Sequence, residues 1–173
     1  MRLKSFCRCV LPVLVAAIAQ GCASEYSWRS PVPSDMRTVA VPTFRNESDV
    51  QEIGSLMAGQ LAREFQREGT FKIRSAGDAA LEIQGIVKSA SPMTAAYDRR
   101  SGLRVASYDM TATAEVSVID KRSGKVLIDN RPYSATASFA AMQDISTAQR
   151  DASGRVAEAL AAQIVDDVLN LKL

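Results

Sequence analysis

The sequence predicts an α+β domain in which one mixed, mostly antiparallel sheet carries two helices packed on one face, in the order β-α-β-β-β-β-α. Three observations point there. Residues 53–65 and 152–171 each repeat apolar side chains at helical spacing. Between them, residues 79–139 alternate apolar and polar side chains with the period of half-buried strands. Clusters of Asp, Arg, Ser and Gly interrupt that alternation, so the strands pair as a meander and the helices cover its apolar face. With 173 residues, 47% of them apolar, the chain is long enough to bury one good core.

Residues 1–21 read as an address. Arg2, Lys4 and Arg8 make a basic start, with no acidic residue before Glu25. Ten apolar residues follow at 10–19, then Gln20-Gly21-Cys22, which is the layout of a secretory signal peptide. Ten helical residues rise about 15 Å, half of a ~30 Å bilayer core, too short for a permanent span. Ala19-Gln20-Gly21-Cys22 resembles a bacterial lipobox, with Ala19 where Leu is usual. That resemblance implies a diacylated Cys22 as the first mature residue. The plainer reading is ordinary cleavage near Ala19 or Gly21 with Cys22 a stray thiol. Acylation is preferred because an exposed unpaired cysteine is a liability in a secreted protein. Two or three acyl chains also anchor firmly where one is marginal. Ala23, rather than Asp, follows the cysteine, which implies the outer membrane.

Removing the leader takes away Cys7, Cys9 and three basic residues. The basic count falls from 21 to 18 against 19 acidic residues, so the mature charge is −1. A nearly neutral domain argues against nucleic acid and places any anion contact on a local basic cluster. Residues 22–37 are polar and hold Pro31 and Pro33; they read as a lipid-anchored tether, with Tyr26 and Trp28 docking on the domain or at the headgroups. The single domain then occupies 38–173.

Residues 38–44 (TVAVPTF) form a first strand, and Pro42 predicts an edge position or a bulge there. Asn46-Glu47-Ser48 turns into a helix, with Ser48 and Gln51 fitting a capping box. Ile53, Leu56, Met57, Leu61 and Phe65 line its buried face, and Gly69 ends it. Residues 71–74 give a short strand. In the next, Leu81, Ile83, Val87, Met93 and Tyr97 share the inward parity, opposite Glu82, Gln84, Lys88 and Thr94. Asp98-Arg99-Arg100-Ser101-Gly102 is a turn, and the return strand points Ala106 through Val118 inward at even positions. After a second turn at Asp120-Lys121-Arg122-Ser123-Gly124, the apolar parity of residues 125–139 switches between Ile128 and Tyr133. The switch predicts a bulge near Asn130–Pro132. Asp144 or Ser146 caps the last helix, striped by Ala152, Val156, Leu160, Ile164, Val168 and Leu171.

The mature chain resembles the lipopolysaccharide-assembly lipoprotein family (LptE-like) over about 150 residues. The matching features are Cys22 with Tyr26 and Trp28 soon after, the run Pro33-Ser34-Asp35-Met36-Arg37-Thr38-Val39-Ala40-Val41-Pro42, then Phe44 and Asn46. Leu61 and Phe65 follow on the helix, then Ala79-Leu81-Glu82-Ile83-Gly85, Tyr97, and Tyr108-Met110-Thr111-Thr113-Val116. The resemblance implies a non-enzymatic outer-membrane lipoprotein on the periplasmic side. Its partners would be lipopolysaccharide and an LptD-like translocon β-barrel that it plugs or helps to assemble. In such proteins basic residues at the hairpin tip and on the facing strand contact the lipid A phosphates, which guanidinium groups pair bidentately. Those places hold Arg99 and Arg100, with Arg104 just past the tip and Arg131 beside the expected bulge. The second turn, Lys121-Arg122-Lys125, is the other basic group. Charged hairpin tips are also common for solubility alone.

A different class of function is an outer-membrane lipoprotein that regulates a cell-wall synthase or forms part of a secretion apparatus. A pore would need a further amphipathic hairpin, whereas strands 103–119 and 125–139 expose Thr, Ser, Asp, Glu and Arg. Catalysis is disfavoured by composition. There is no histidine, hence no His-based nucleophile system, general base or zinc site. Asp166 and Asp167 are adjacent on a helix and Lys88 and Ser89 on a strand, so each pair diverges. No phosphate-binding glycine loop is present, and no cofactor or metal is expected.

Overall fold

A computed structural model describes residues 33–97, 99, 104–141 and 144–171. The expected leader, Cys22 and most of the tether lie outside the described residues, as does Arg100. One 3-10 turn, Ser34–Met36, leads into β1 (Thr38–Ala40), β2 (Arg45–Asn46), α1 (Ile53–Glu68), β3 (Lys72–Ile73), β4 (Leu81–Tyr97), β5 (Val105–Asp120), β6 (Val126–Ala140) and α2 (Ile145–Leu169). The sheet runs β3-β1-β4-β5-β6, with β2 also pairing β4. The three short strands pair in parallel, the three long ones antiparallel. Mixed sheet, two helices and element order all agree with the sequence expectation.

The first strand is not continuous. Proline cannot donate to a ladder, and the chain leaves the sheet across Val41–Phe44 before β2 rejoins β4 at Ile86 and Val87. Pro42 therefore marks a break, and β1 is an interior strand between β3 and β4 rather than an edge. The detour buries Phe44 to 3% exposure. Its ring lies directly on Gly85, and its carbonyl against Gly54 at the start of α1; a Cβ at either glycine would collide with it. An aromatic ring over a strand glycine fills the space a missing side chain leaves.

The capping box does not form. Asn46 takes Ser48 instead: its Oδ1 accepts from the Ser48 backbone N–H (2.9 Å) and hydroxyl (2.7 Å). Its Nδ2 donates to the carbonyls of Val50 (2.8 Å) and Gln51 (3.3 Å). The helix then starts late, with Glu52 at the N-cap and no side-chain cap. Ile53, Met57, Leu61 and Phe65 are fully buried as the spacing requires, each contributing about 1.5–3 kcal/mol of transfer free energy. Gly69 adopts φ 78° and its N–H bonds the Phe65 carbonyl (3.1 Å), a left-handed ending that glycine alone enters freely.

In β4, Leu81, Ile83 and Val87 are buried, but Met93 and Tyr97 are not: they are 66% and 60% exposed. A register shift between Val87 and Ser89 inserts Lys88 as an extra residue. Beyond it Ala90 faces the helices opposite Ala112, and Met93 stands opposite Asp109 on the open face. The expected inward parity thus ends at the bulge. Lys88 reaches Glu47 Oε2 at 2.6 Å, which holds that carboxyl below its usual range and raises the ammonium pKa.

The second bulge lies where the parity switch put it. Val116 pairs Arg131 while Val118 pairs Ile128, so β6 carries one residue more than β5. Asn130 has φ 41°, and its N–H donates to the Ser117 hydroxyl (2.9 Å). In β5, Met110, Ala112, Ala114, Val116 and Val118 are buried. At its end the Asp120 carboxylate accepts from the Ser123 hydroxyl (2.7 Å) and the Arg122 N–H (3.0 Å), which lower its pKa in that order and fix the turn to β6. Asp144 caps α2, accepting from the Thr147 N–H (3.2 Å), and Ala152, Val156, Leu160, Ile164 and Val168 are fully buried. The helix packs on α1 and across β5 and β6.

Edge strands expose unpaired backbone groups. The Ala141 N–H bonds the Ala106 carbonyl, so even residues of β5 and odd residues of β6 face each other. Even residues of β6 then face outward, and α2 covers two of them: Arg155 donates to the Ser138 carbonyl (2.8 Å) and Gln163 to that of Ser134 (3.3 Å). Eight residues of helix and four of strand both span roughly 12–13 Å, so the two contacts match. On the other side, β4 beyond Lys88 has no partner among the described residues except β5. Odd residues there bond β5, so Pro92 turns its nitrogen, which has no proton, to the free edge.

Candidate functional site

The long strands set the geometry of the site. The seventeen residues of β4 span about 55 Å. At one end lies the turn after β5, where Arg122 contacts the sulfur of Met36 just after the chain enters the domain. At the other end the β4–β5 hairpin projects, and every described residue from Ser91 to Tyr97 is exposed. Arg99 is exposed at the tip and Arg104 is exposed at the start of the return strand, so the structure brings these two sequence-predicted residues to one end.

Arg131 is elsewhere. It pairs Val116, eleven residues along β5 from the Val105 that faces Tyr97, or about 37 Å from the tip. Its guanidinium contacts Asp167 Oδ2 at 3.1 Å and lies 5.8 Å from the centre of the Tyr133 ring. The Tyr133 hydroxyl donates to the same carboxylate oxygen at 2.7 Å. Burial first, then that hydrogen bond, pushes the phenol pKa well up. This trio ties the end of α2 to β6 just past the bulge, and Asp167 neutralises the cation that an anionic ligand would need.

The face of the sheet away from the helices is open and polar. Thr111 and Thr136 share a hydrogen bond (2.9 Å), and the Ser138 hydroxyl donates to Asp109 (2.6 Å). A cleft of about 430 Å³ near its middle is lined by Arg45, Glu82, Gln84, Glu115 and Ser117. Glu82 there is engaged by Lys121 (2.8 Å) and Gln84 (2.9 Å), whose hydrogen bonds lower its pKa. Among the described residues no group of His, Cys, Asp or Glu could hold a metal, and no helix is long and apolar enough to cross a membrane.

Sequence reasoning missed Met93 and Tyr97 as surface residues, because two large apolar side chains at odd positions fitted the inward parity. The available signal was the run 89–97, SASPMTAAY, which has no charge and almost no alternation once Val87 is passed.

A sheet open on one face, two helices on the other and a projecting basic-tipped hairpin define a small α+β module of the kind found in bacterial lipoproteins. Similar solved structures include a candidate lipoprotein of Caulobacter crescentus, 16% identical, with TM-score 0.51 over 73% of this chain and 87% of that one. A Xanthomonas campestris protein is 10% identical, with TM-score 0.53 over 80% and 89%. A hypothetical protein of Chlamydia trachomatis is 14% identical, with TM-score 0.51 over 78% and 96%. At such identities the likeness is one of fold. No curated protein sequence matches the chain. The chain belongs to the LptE lipopolysaccharide-assembly family, whose model matches residues 36–168. Membership assigns it, at the level of the family, to lipopolysaccharide assembly and to a class of non-enzymatic envelope lipoproteins.

Proposed function

We propose that this protein is an outer-membrane lipoprotein, anchored through Cys22 on the periplasmic side, that binds lipopolysaccharide and plugs or helps to assemble an LptD-like β-barrel. The family match over residues 36–168 carries the reading. The leader-like residues 1–21, directly before Cys22, and the arginines of the hairpin support it. The phosphate contact centres on Arg99 and Arg104, with Arg100, next to Arg99 in sequence, as a further candidate; the Arg131 guanidinium is engaged by Asp167 farther down the sheet.

Guanidinium–phosphate pairs are among the stronger charge-assisted contacts, at about 1.5–3 kcal/mol each. Arg99→Asp with Arg100→Asp should therefore weaken lipopolysaccharide binding by at least about tenfold. Unchanged binding would return the tip to a solubilising role. Purification of the lipoprotein from detergent-extracted membranes, with partners identified by mass, should recover a large β-barrel. Recovery of a cell-wall synthase instead would overturn the assignment.

A further inference from the structure

We infer that the corner of the sheet where the chain enters the domain docks on anionic phospholipid headgroups, through a basic patch centred on Lys72, Arg74 and Lys125. This rests on the reading of Cys22 as a lipid anchor. Three segments meet at that corner. The Lys121 N–H donates to the Ala80 carbonyl (2.8 Å) and its ammonium to that of Ala76 (2.7 Å), which ties the β5–β6 turn to the loop before β4. Arg122 reaches Met36, and the Lys72 N–H donates to the Arg37 carbonyl (2.9 Å) just before β1. Five exposed cations that are apart in sequence are thereby collected: Lys72, Arg74, Lys121, Arg122 and Lys125.

The carboxylates of the corner do not cancel them. Asp120 accepts from the Ser123 hydroxyl and the Arg122 N–H, Asp78 from the Ser75 hydroxyl (2.7 Å), and Glu82 from Lys121. Three carboxylates thus stand against five cations. Toward β6 the charge reverses, with Asp129 and Asp166 exposed and Asp167 engaging Arg131. A domain polarised in this way turns its basic corner to a negative surface and its acidic side away. Val126 follows Lys125 directly and is 47% exposed, so an apolar side chain stands beside the cations, as suits the boundary between headgroups and hydrocarbon. Each cation near an anionic surface strengthens binding only about fivefold. Met36, however, lies fourteen positions after Cys22, and fourteen residues reach at most about 50 Å. An anchored chain therefore keeps this corner at high effective concentration beside the lipid.

The test uses the full lipoprotein in vesicles of phosphatidylcholine, alone or mixed with phosphatidylglycerol, with flotation to confirm anchoring. Lysines are acetylated briefly and read one by one by mass spectrometry. Lys72 and Lys125 should react at least about fivefold more slowly in the anionic vesicles, and Lys88, in the middle of β4, equally in both. Salt near 1 M, where the screening length is about 3 Å, should abolish the difference. Arg74→Glu with Lys125→Glu, both on exposed side chains, should leave the melting temperature unchanged and remove the protection of Lys72. Equal reactivity in both vesicles while the protein floats with each would overturn this inference and leave the anchor standing. Protection by inorganic phosphate in neutral vesicles would overturn it too, as the mark of a free-anion site. If the protein floats with neither vesicle, the anchor reading falls and this inference falls with it.

Discussion

Gly85 lies beneath the ring of Phe44, and that contact can be tested quantitatively. Gly85→Ala adds one methyl where the ring now sits, with no flexible side chain to give way. Overpacking of this kind costs about 1–3 kcal/mol. Phe44→Ala alone removes a ring that is 3% exposed and should cost about 3–5 kcal/mol. In the double variant the collision disappears with the ring. Gly85 does not have positive φ, so alanine there would even restrict the unfolded chain, by about 0.4–1 kcal/mol in favour of folding. The double variant should therefore be no less stable than Phe44→Ala, and the coupling should offset the whole cost of Gly85→Ala. Urea unfolding of the four proteins measures this directly, through midpoints at constant m-value. At this size each kcal/mol moves the melting temperature by roughly 2–5 °C. Costs that add to within about 0.5 kcal/mol would refute the packing argument, because independent sites add and touching ones do not.

Two further outcomes follow from the ends and edges of the fold. Asp144 caps α2, and the Ser146 hydroxyl, then Thr147, lower its pKa to about 2 from an ordinary 3.8. A depressed acid stabilises above its unfolded pKa and loses that as pH falls through the folded one. The melting-temperature advantage of wild type over Asp144→Ala should thus be full at pH 6 and shrink between about pH 4 and pH 2; an equal gap at both extremes would count against the cap. Removing Arg155 and Gln163 together as alanines should uncover the Ser138 and Ser134 carbonyls and increase concentration-dependent association in sedimentation experiments. Wild-type behaviour would show that these side chains do not guard the β6 edge.

Much of this was legible in the residues because burial enforces it. The stripes of both helices, the Gly69 ending and the bulge at Asn130 each left a strong pattern, the last because Ile128 and Tyr133 are large and must both be inside. The bulge at Lys88 left none. After it only Ala90 in β4 is inside, so no large buried side chain marked the change, and Met93 and Tyr97 fell on the old parity by chance. Long-range contacts were illegible for a different reason. Asn46 displaces the Ser48 cap through bonds that local spacing does not encode, and Asp167 meets Arg131 across a helix–strand contact thirty-six residues apart in sequence. Phe44, Asn46 and Gly85 belong to the family resemblance, and their contacts are those of packing and turn formation. At the site, the tip arginines were readable as a cluster in the sequence, and Arg131 does lie beside the bulge, but its distance from the tip is set by strand lengths that the turn residues alone do not give.

The bulged strand β4 is also a measure of distance. It begins beside the point where the chain enters the domain and ends toward the tip. Within the domain the tip thus lies about 55 Å from the place where β1 meets β4, longer than the ~30 Å hydrocarbon layer of a bilayer. Reach is set by counting residues. Deleting two from β4 and their two partners from β5 would draw the tip back by about 7 Å and keep every remaining side chain on its own face, whereas deleting one from each would turn every side chain beyond the deletion over.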